Sequence, residues 1–221
     1  MSTNEKLYVI EGLDGSGKST QFEGLLEYYK SQNHPVKGIS FPDYAQESSA
    51  LVRMYLGGEF GGSPDCVNAY AASAFYAVDR YASFKQFWEQ DYINGTAVIA
   101  ARYTTSNAIY QLSKLEKQQW DGYLDWLYDF EFDKLRLPRP DKVLFLDMPP
   151  EISQRLLLER YGGNAEKHDL HERDLDYLTK CRQAAVYVAE RLNWVVIPCA
   201  QNGRPLSVEA VRAALIKELD I

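Results

Sequence analysis

Gly12-Leu-Asp-Gly-Ser-Gly-Lys-Ser19 follows a short apolar run, Leu7 to Ile10, and leads into a helically patterned segment, Thr20 to Ser31. The octapeptide fits G-x-x-x-x-G-K-[ST], a pattern that gains its meaning from this strand-to-helix context. Gly12, Gly15 and Gly17 let the chain curl so that the N–H groups of the loop, with Leu13, Asp14 and Ser16 between them, point inward. The N-terminus of the following helix adds a partial positive charge toward the same point. Such a loop cradles a chain of phosphates. Lys18 is placed to reach the β and γ phosphates of a nucleotide and the Ser19 hydroxyl to ligate Mg²⁺, with Thr20 in the same first turn.

Working outward, four more apolar runs read as buried parallel strands: Val36–Phe41, Ala97–Ala101, Val143–Leu146 and Val195–Pro198. Between the strands lie segments with apolar residues at three- and four-residue spacing, among them Ser48–Leu56, Val67–Gln90, Glu116–Leu135, Pro150–Arg160, Asp174–Leu192 and Ser207–Leu219. The alternation predicts an α/β chain, a three-layer α/β/α P-loop NTPase fold on a five-stranded parallel sheet. No repeat or Pro/Gly/Ser linker interrupts it, so one domain over residues 1–221 is expected. Two polar, glycine-bearing loops, Gly57–Asp65 and Tyr161–Arg173, have the character of segments that close over a ligand, the second being a mobile lid.

The formal charge of -7 over 221 residues argues against wrapping a nucleic acid, which requires a basic stripe. Anionic ligands must instead be held by a few placed cations. Cys66, Cys181 and Cys199 are scattered, with no CxxC, so neither a disulfide framework nor a zinc site is indicated and a reducing compartment is expected. The N-terminal MSTNEKLYVIEG lacks a long apolar signal core and no run approaches a membrane span, so the expectation is a cytoplasmic protein with no membrane partner.

A phosphate loop alone leaves the acceptor open, because GTPases, motor ATPases and kinases share it. No NKxD or DxxG stands at the expected strand ends, which weighs against a GTPase. Asp147 ends the fourth strand in Walker B form, but without the following acidic residue that motor ATPases use to activate water.

The chain resembles the thymidylate kinase family nearly end to end. The resemblance rests on VIEGLDGSGKST (Val9–Thr20), FPDY (Phe41–Tyr44), LVRMYL (Leu51–Leu56), FYAVDRY (Phe75–Tyr81), VIAARYTTSNAIYQ (Val98–Gln111) and RPDKVLFLDMPPE (Arg139–Glu151), in shared order and spacing. It implies an ATP-dependent transfer of phosphate to dTMP, with Mg²⁺, in a homodimer. It would place Phe41 and Pro42 against the acceptor nucleotide and Tyr44 beside its phosphate. Tyr76, where relatives usually carry Phe, would stack on the pyrimidine, and Arg80, one helical turn on, would donate to its carbonyl; the alternative is a core aromatic beside a solvated Arg80 paired with Asp79. Arg102 would touch the acceptor phosphate and the transferring group, Asn107 the base, and Tyr110 the sugar where a ribose 2′-hydroxyl would sit. Arg53 is a further phosphate contact by the same resemblance. Arg160, Lys167 and Arg155 are the lid cations, Asp169 and Glu172 its acidic pair, and Ala200–Pro205 would lie against adenine; His168 and His171 read as surface residues.

One position departs from the family. Where it carries Asp before the Arg at the end of the third strand, this chain has Ala101. Mg²⁺ is then expected to rest on Ser19, phosphate oxygens and water, with Asp14 or Asp147 nearby. Asp14 would hold the acceptor sugar or an acceptor-side metal, while Lys18 and Arg102 offset developing charge. Ala101 and Tyr76 leave room for a kinase of another deoxynucleotide or a deoxynucleoside, and loss of the Asp leaves room for a non-catalytic nucleotide-binding protein.

Overall fold

A computed structural model describes residues 6–63, 66–160 and 175–219. The segment expected to form the lid lies outside these residues, and with it Lys167, His168, Asp169, His171 and Glu172, as does the side chain of Arg160.

Five parallel strands form the centre: β1 (Leu7–Gly12), β2 (Val36–Ser40), β3 (Ala97–Ala101), β4 (Lys142–Asp147) and β5 (Val195–Pro198), in the order β2-β3-β1-β4-β5. Because such strands are covered on both faces, alternate residues of one strand belong to two cores. Leu7 and Val9 pack on one side with Val98, Ala100, Val143 and Phe145; Tyr8 and Ile10 pack on the other with Ile99, Leu144, Leu146 and Ile197. The second face is covered by α1 (Lys18–Ser31), α7 (Pro150–Arg160) and α9 (Val208–Glu218), through residues such as Leu25, Ile152 and Leu215. The first is covered by α3 (Ala69–Ser83), α5 (Thr104–Tyr110), α6 (Trp120–Tyr128) and α8 (Leu175–Arg191), with α2 (Ala50–Leu56) and α4 (Glu89–Ile93) alongside. The three layers match the fold expected from the alternation. No helix among the described residues is long and apolar enough to cross a membrane.

β1 lies between β3 and β4, and the chain passes from one side of it to the other after β3. A crevice therefore opens at the carboxyl ends of these strands, where open α/β sheets bind ligands.

The two longest helical segments of the sequence are not continuous α-helices. Val67–Gln90 resolves into α3, a π-helical turn over Phe84–Trp88, and α4; Glu116–Leu135 becomes a 3₁₀ turn over Lys117–Gln119, α6, and a π-helical turn over Asp129–Lys134. Phe84 and Trp88 are buried within the first of these π-helical turns, and Glu131 and Phe132 within the second. β2 stops at Ser40, one residue short of expectation, although the Phe41 N–H still donates to the Ala101 carbonyl at 3.1 Å. A small antiparallel hairpin, β6 (Ala200–Gln201) and β7 (Arg204–Pro205), follows β5.

Candidate active site

The phosphate loop joins Gly12, the last residue of β1, to Lys18, the first of α1. Its shape depends on glycine at both ends. A Cβ on Gly12 would meet Ser16 Oγ at 2.6 Å and the Leu146 carbonyl at 3.0 Å, while Gly17 caps α1 with φ 92°, a left-handed conformation costly for other residues. Lys18 Nζ bridges the loop by donating to the carbonyls of Gly12 and Leu13, both at 2.7 Å, and lies 3.8 Å from Asp14 Oδ1. Ser19 is exposed on the first turn of α1.

Beside the loop is a cavity of about 210 Å³. Asp14 and Arg102 line it next to the loop. Phe41, Pro42, Tyr44, Tyr76, Arg80, Asn107 and Tyr110 complete most of its wall, joined by Tyr55, Leu56, Tyr103, Ser106, Gln111 and Tyr177. The structure thus brings together eight of the nine acceptor residues singled out in the sequence. Arg53 is the ninth, and it does not line the cavity. Its Nη1 donates to the carbonyls of Tyr44 (3.2 Å) and Gln46 (2.9 Å) and to Ser49 Oγ (2.5 Å), so it staples the loop that carries Tyr44.

Charges in the cavity are arranged in pairs. Arg102, at the end of β3 with a left-handed φ of 67°, forms an ion pair with Asp14 through Nη2, and its guanidinium lies 5.3 Å from the centre of the Tyr110 ring. Burial pushes the Asp14 carboxyl up, but Arg102, Lys18 and the Tyr110 hydroxyl outweigh it and hold the group below its ordinary value. Burial works against the Arg102 charge, and Tyr110, Asp14 and Glu11 more than restore it. The phenols of Tyr76 and Tyr110 are pushed up, burial being the chief cause in each, and stay protonated.

Arg80 is neither solvated nor paired with Asp79. It is 1% exposed and makes a bidentate ion pair with Glu131, Nε to Oε2 at 2.7 Å and Nη2 to Oε1 at 2.5 Å, while its Nη1 faces the Tyr103 carbonyl at 3.4 Å. Asp79 points elsewhere, accepting from the Asp43 N–H (3.0 Å) and Ser48 Oγ (2.6 Å) and so anchoring the same 43–49 loop. Asp147 is also engaged: Arg182 donates to both of its oxygens, at 2.8 and 2.9 Å.

Sequence reasoning missed two buried carboxylates. Glu11, fully buried, accepts from Thr105 and Ser106 at 2.7 Å each and from the Gly12 N–H at 2.9 Å, tying α5 to the phosphate loop. Glu131 is the other, while Asp79, named in the sequence as a partner for Arg80, proves to hold the Asp43 N–H and Ser48 instead. A signal existed for Glu131, since Trp120, Leu124 and Leu127 mark an apolar stripe that continues onto this charged residue. Gln111 was also missed; its Oε1 is buried without a hydrogen-bond partner and its side chain lines the cavity. On the other side of α7, a second cavity of about 470 Å³ lies between Pro149, Glu151, Ile152 and Arg155 and the hairpin residues Ala200–Gly203.

The family model for thymidylate kinase matches residues 10–210. The chain is 32% identical over 188 residues to the thymidylate kinase of Mycobacterium tuberculosis strain H37Rv, covering 82% of this chain and 83% of that one. It is 29% identical over 210 residues to a probable thymidylate kinase of Pyrobaculum aerophilum, covering 95% of both. Among solved structures, thymidylate kinase from Candida albicans superposes with a TM-score of 0.68 at 24% identity, covering 96% of this chain and 90% of that one. The enzyme from Ehrlichia chaffeensis gives 0.66 at 19% identity, covering 96% and 97%. These two similarities bear on the fold, which they share, and the sequence matches bear on descent: the chain belongs to the thymidylate kinase family.

Proposed function

We propose that the protein transfers the γ-phosphate of ATP to dTMP, giving ADP and dTDP for DNA precursor synthesis. The observation that carries this reading is that Asp14 of the phosphate loop and Arg102, paired with it, line one cavity together with an aromatic ring, Tyr76, and a buried cation, Arg80. A monophosphate placed there would present its phosphate to Arg102 and a flat base to Tyr76 and Arg80. Asn107 and the unpartnered Gln111 Oε1 supply further polar groups on the base side, the latter suited to an N–H of a pyrimidine. Tyr110 packs where a 2′-hydroxyl would lie. The Tyr44 loop flanks the phosphate, and Arg53 acts through that loop rather than by contact.

The chemistry asks little beyond placement and charge. A phosphate monoester has its second ionisation near pH 6, so the acceptor is largely dianionic at neutral pH and needs no general base. One of its oxygens forms the new bond to the γ-phosphorus as the bond from that phosphorus to the β,γ-bridging oxygen breaks, and ADP leaves with the electron pair. Lys18 and Arg102 meet the charge that spreads over the transferring group, and the loop N–H groups and helix terminus hold the β-phosphate. The oxygen donors present, the Ser19 hydroxyl and the Asp14 carboxylate, suit Mg²⁺, which takes a few protein oxygens and completes its shell with phosphate and water. When bound, that ion neutralises phosphate charge. The cavity formed by Arg155 and the 200–203 hairpin supports the placement of adenine there, and Arg160 remains a candidate cation of the segment that follows.

We also assign a homodimer, in the cytoplasm. Tyr70, Val78 and Tyr81 are 41%, 50% and 42% exposed on α3, and Tyr70 also meets Trp126, which stacks on Phe130, leaving an apolar surface that a second copy would cover. The three scattered cysteines, with no CxxC among them, support a reducing compartment. ADP release measured against a panel of nucleosides and nucleoside monophosphates tests the acceptor; a preference for any acceptor over dTMP would defeat the reading. Light scattering on the eluted protein tests the dimer, which a monomer mass would refute.

A further inference from the structure

α5 is held from two sides. Four consecutive residues at its start, Thr104, Thr105, Ser106 and Asn107, give their side chains to two buried carboxylates: Thr105 and Ser106 to Glu11, and Thr104 and Asn107 to Glu131. Glu11 ties the helix to the phosphate loop. Glu131 ties it to α3, because the same carboxylate takes the two parallel hydrogen bonds from Arg80.

An ionised carboxylate offers about four lone-pair sites. Those of Glu131 are met by Arg80 Nε and Nη2, by Thr104 Oγ1 at 2.6 Å and by Asn107 Nδ2 at 3.3 Å. The side chain is fully buried, so solvent supplies no substitute. A bidentate pair fixes the plane of a guanidinium as well as its position, and Arg80 otherwise hangs on a long flexible chain. Its Nη1 has the poorest geometry of its hydrogen bonds and belongs to a side chain that lines the cavity. A buried ion pair is weak evidence of net stability, since desolvation offsets attraction. What it does secure is geometry.

We infer that Glu131 is the positioning residue for base recognition, orienting Arg80 and Asn107 toward one acceptor pyrimidine through a single carboxylate supplied by the π-helical turn after α6. The inference rests on the dTMP reading above. Glu131 touches neither substrate; it sets where two groups that face the base can stand.

Steady-state kinetics of Glu131→Gln and Glu131→Asp, with dTMP and ATP varied separately, test it. Glu131→Gln removes the charge that locks Arg80 while keeping the shape, and is expected to raise the dTMP KM roughly tenfold or more, since misplacing a charge-assisted hydrogen bond has effects of that order. The ATP KM and kcat should stay within about threefold, because the phosphate side is held by Glu11 instead. The preference for dTMP over dCMP, which differ in the group at the base position Arg80 would read, should fall by about fivefold or more. Glu131→Asp keeps the charge but withdraws it by one methylene, and should give an intermediate KM with a melting temperature near wild type. It carries the test alone if the Gln variant fails to fold. An unchanged dTMP KM in a folded variant, or dTMP and ATP KM values rising together, overturns the positioning role. Absence of transfer to any monophosphate by the wild-type protein overturns the functional reading and this inference with it, and is recognised before any variant is made.

Discussion

Arg102, the residue after β3, and Asp14, inside the phosphate loop, form an ion pair across the boundary between the donor loop and the acceptor cavity. The pair neutralises a largely buried guanidinium, and in the proposed reaction an acceptor phosphate would compete with the carboxylate for it. Arg102→Lys retains the charge but loses the planar fork that can meet Asp14 and a phosphate with separate, fixed N–H groups. The expected result is a kcat lower by about 10²- to 10³-fold, the range for losing one preorganised donor to developing charge. Steady-state kinetics with dTMP checks it, and a kcat within a factor of three of wild type would remove Arg102 from the transferring step.

Lys18→Ala should abolish transfer and leave the fold intact. Its ammonium bridges two loop carbonyls at the surface of the crevice and does not build either core. A drop of about 10²-fold or more in kcat with a melting temperature within a few degrees of wild type is expected. Normal turnover would sink the phosphate-loop assignment.

Tyr76→Ala should weaken dTMP by about 1–3 kcal/mol, the loss typical of removing a base-aromatic stack. Tyr76→Phe should be nearly neutral, because the stack uses the ring face. The dTMP KM in both variants decides it. An unchanged KM with a collapsed melting temperature in the Ala variant would make Tyr76 a packing residue against Tyr55, whose ring meets it edge-on at 6.4 Å.

Ala101→Asp restores the carboxylate that the family carries at the end of β3. Ala101 is 8% exposed, with Ile10 and Ser40 beside it in the flanking strands, so some loss of stability should accompany the change. The half-saturating Mg²⁺ concentration should fall, by up to about tenfold, as an added oxygen donor orients the ion or its water. A magnesium titration of dTMP-dependent ADP formation measures this. A flat magnesium response together with a raised dTMP KM would indicate a site adapted to a different acceptor.

The pH dependence of stability should reveal Asp14. Its folded pKa is lowered below the ordinary 3.8, so its contribution is fully present above that value and is lost as pH falls through the lower, folded one. Asp14→Asn should therefore melt below wild type at neutral pH, with the gap narrowing in acid below about pH 4. A gap that stays constant down to pH 3 would show that the ion pair contributes nothing net.

The phosphate loop, the strand-helix alternation and most of the cavity wall were legible in the residues, and the reasons are local. A glycine-rich turn between a strand and a helix declares itself within eight positions, and Tyr76 and Arg80 share a helix face because four residues make about one turn. The family motifs carried Phe41, Tyr44, Arg102, Asn107 and Tyr110 to the same place. Arg53 is the one acceptor residue that does not line the cavity, because its Nη1 is drawn into the loop of Tyr44, Gln46 and Ser49.

By itself, then, the sequence determined the parallel α/β sheet, the phosphate loop at the end of its first strand and the residues that surround the acceptor cavity. Only the tertiary structure decided which charges meet. Arg80 finds Glu131 at a separation of 51 residues, Asp79 turns instead to Ser48, and Asp147 is taken by Arg182. Periodicity reports which face of an element is buried, but a buried charge is paired with whatever group packing brings within about 3 Å in the absence of water. That choice depends on how the helices cross, geometry that no short stretch of chain encodes.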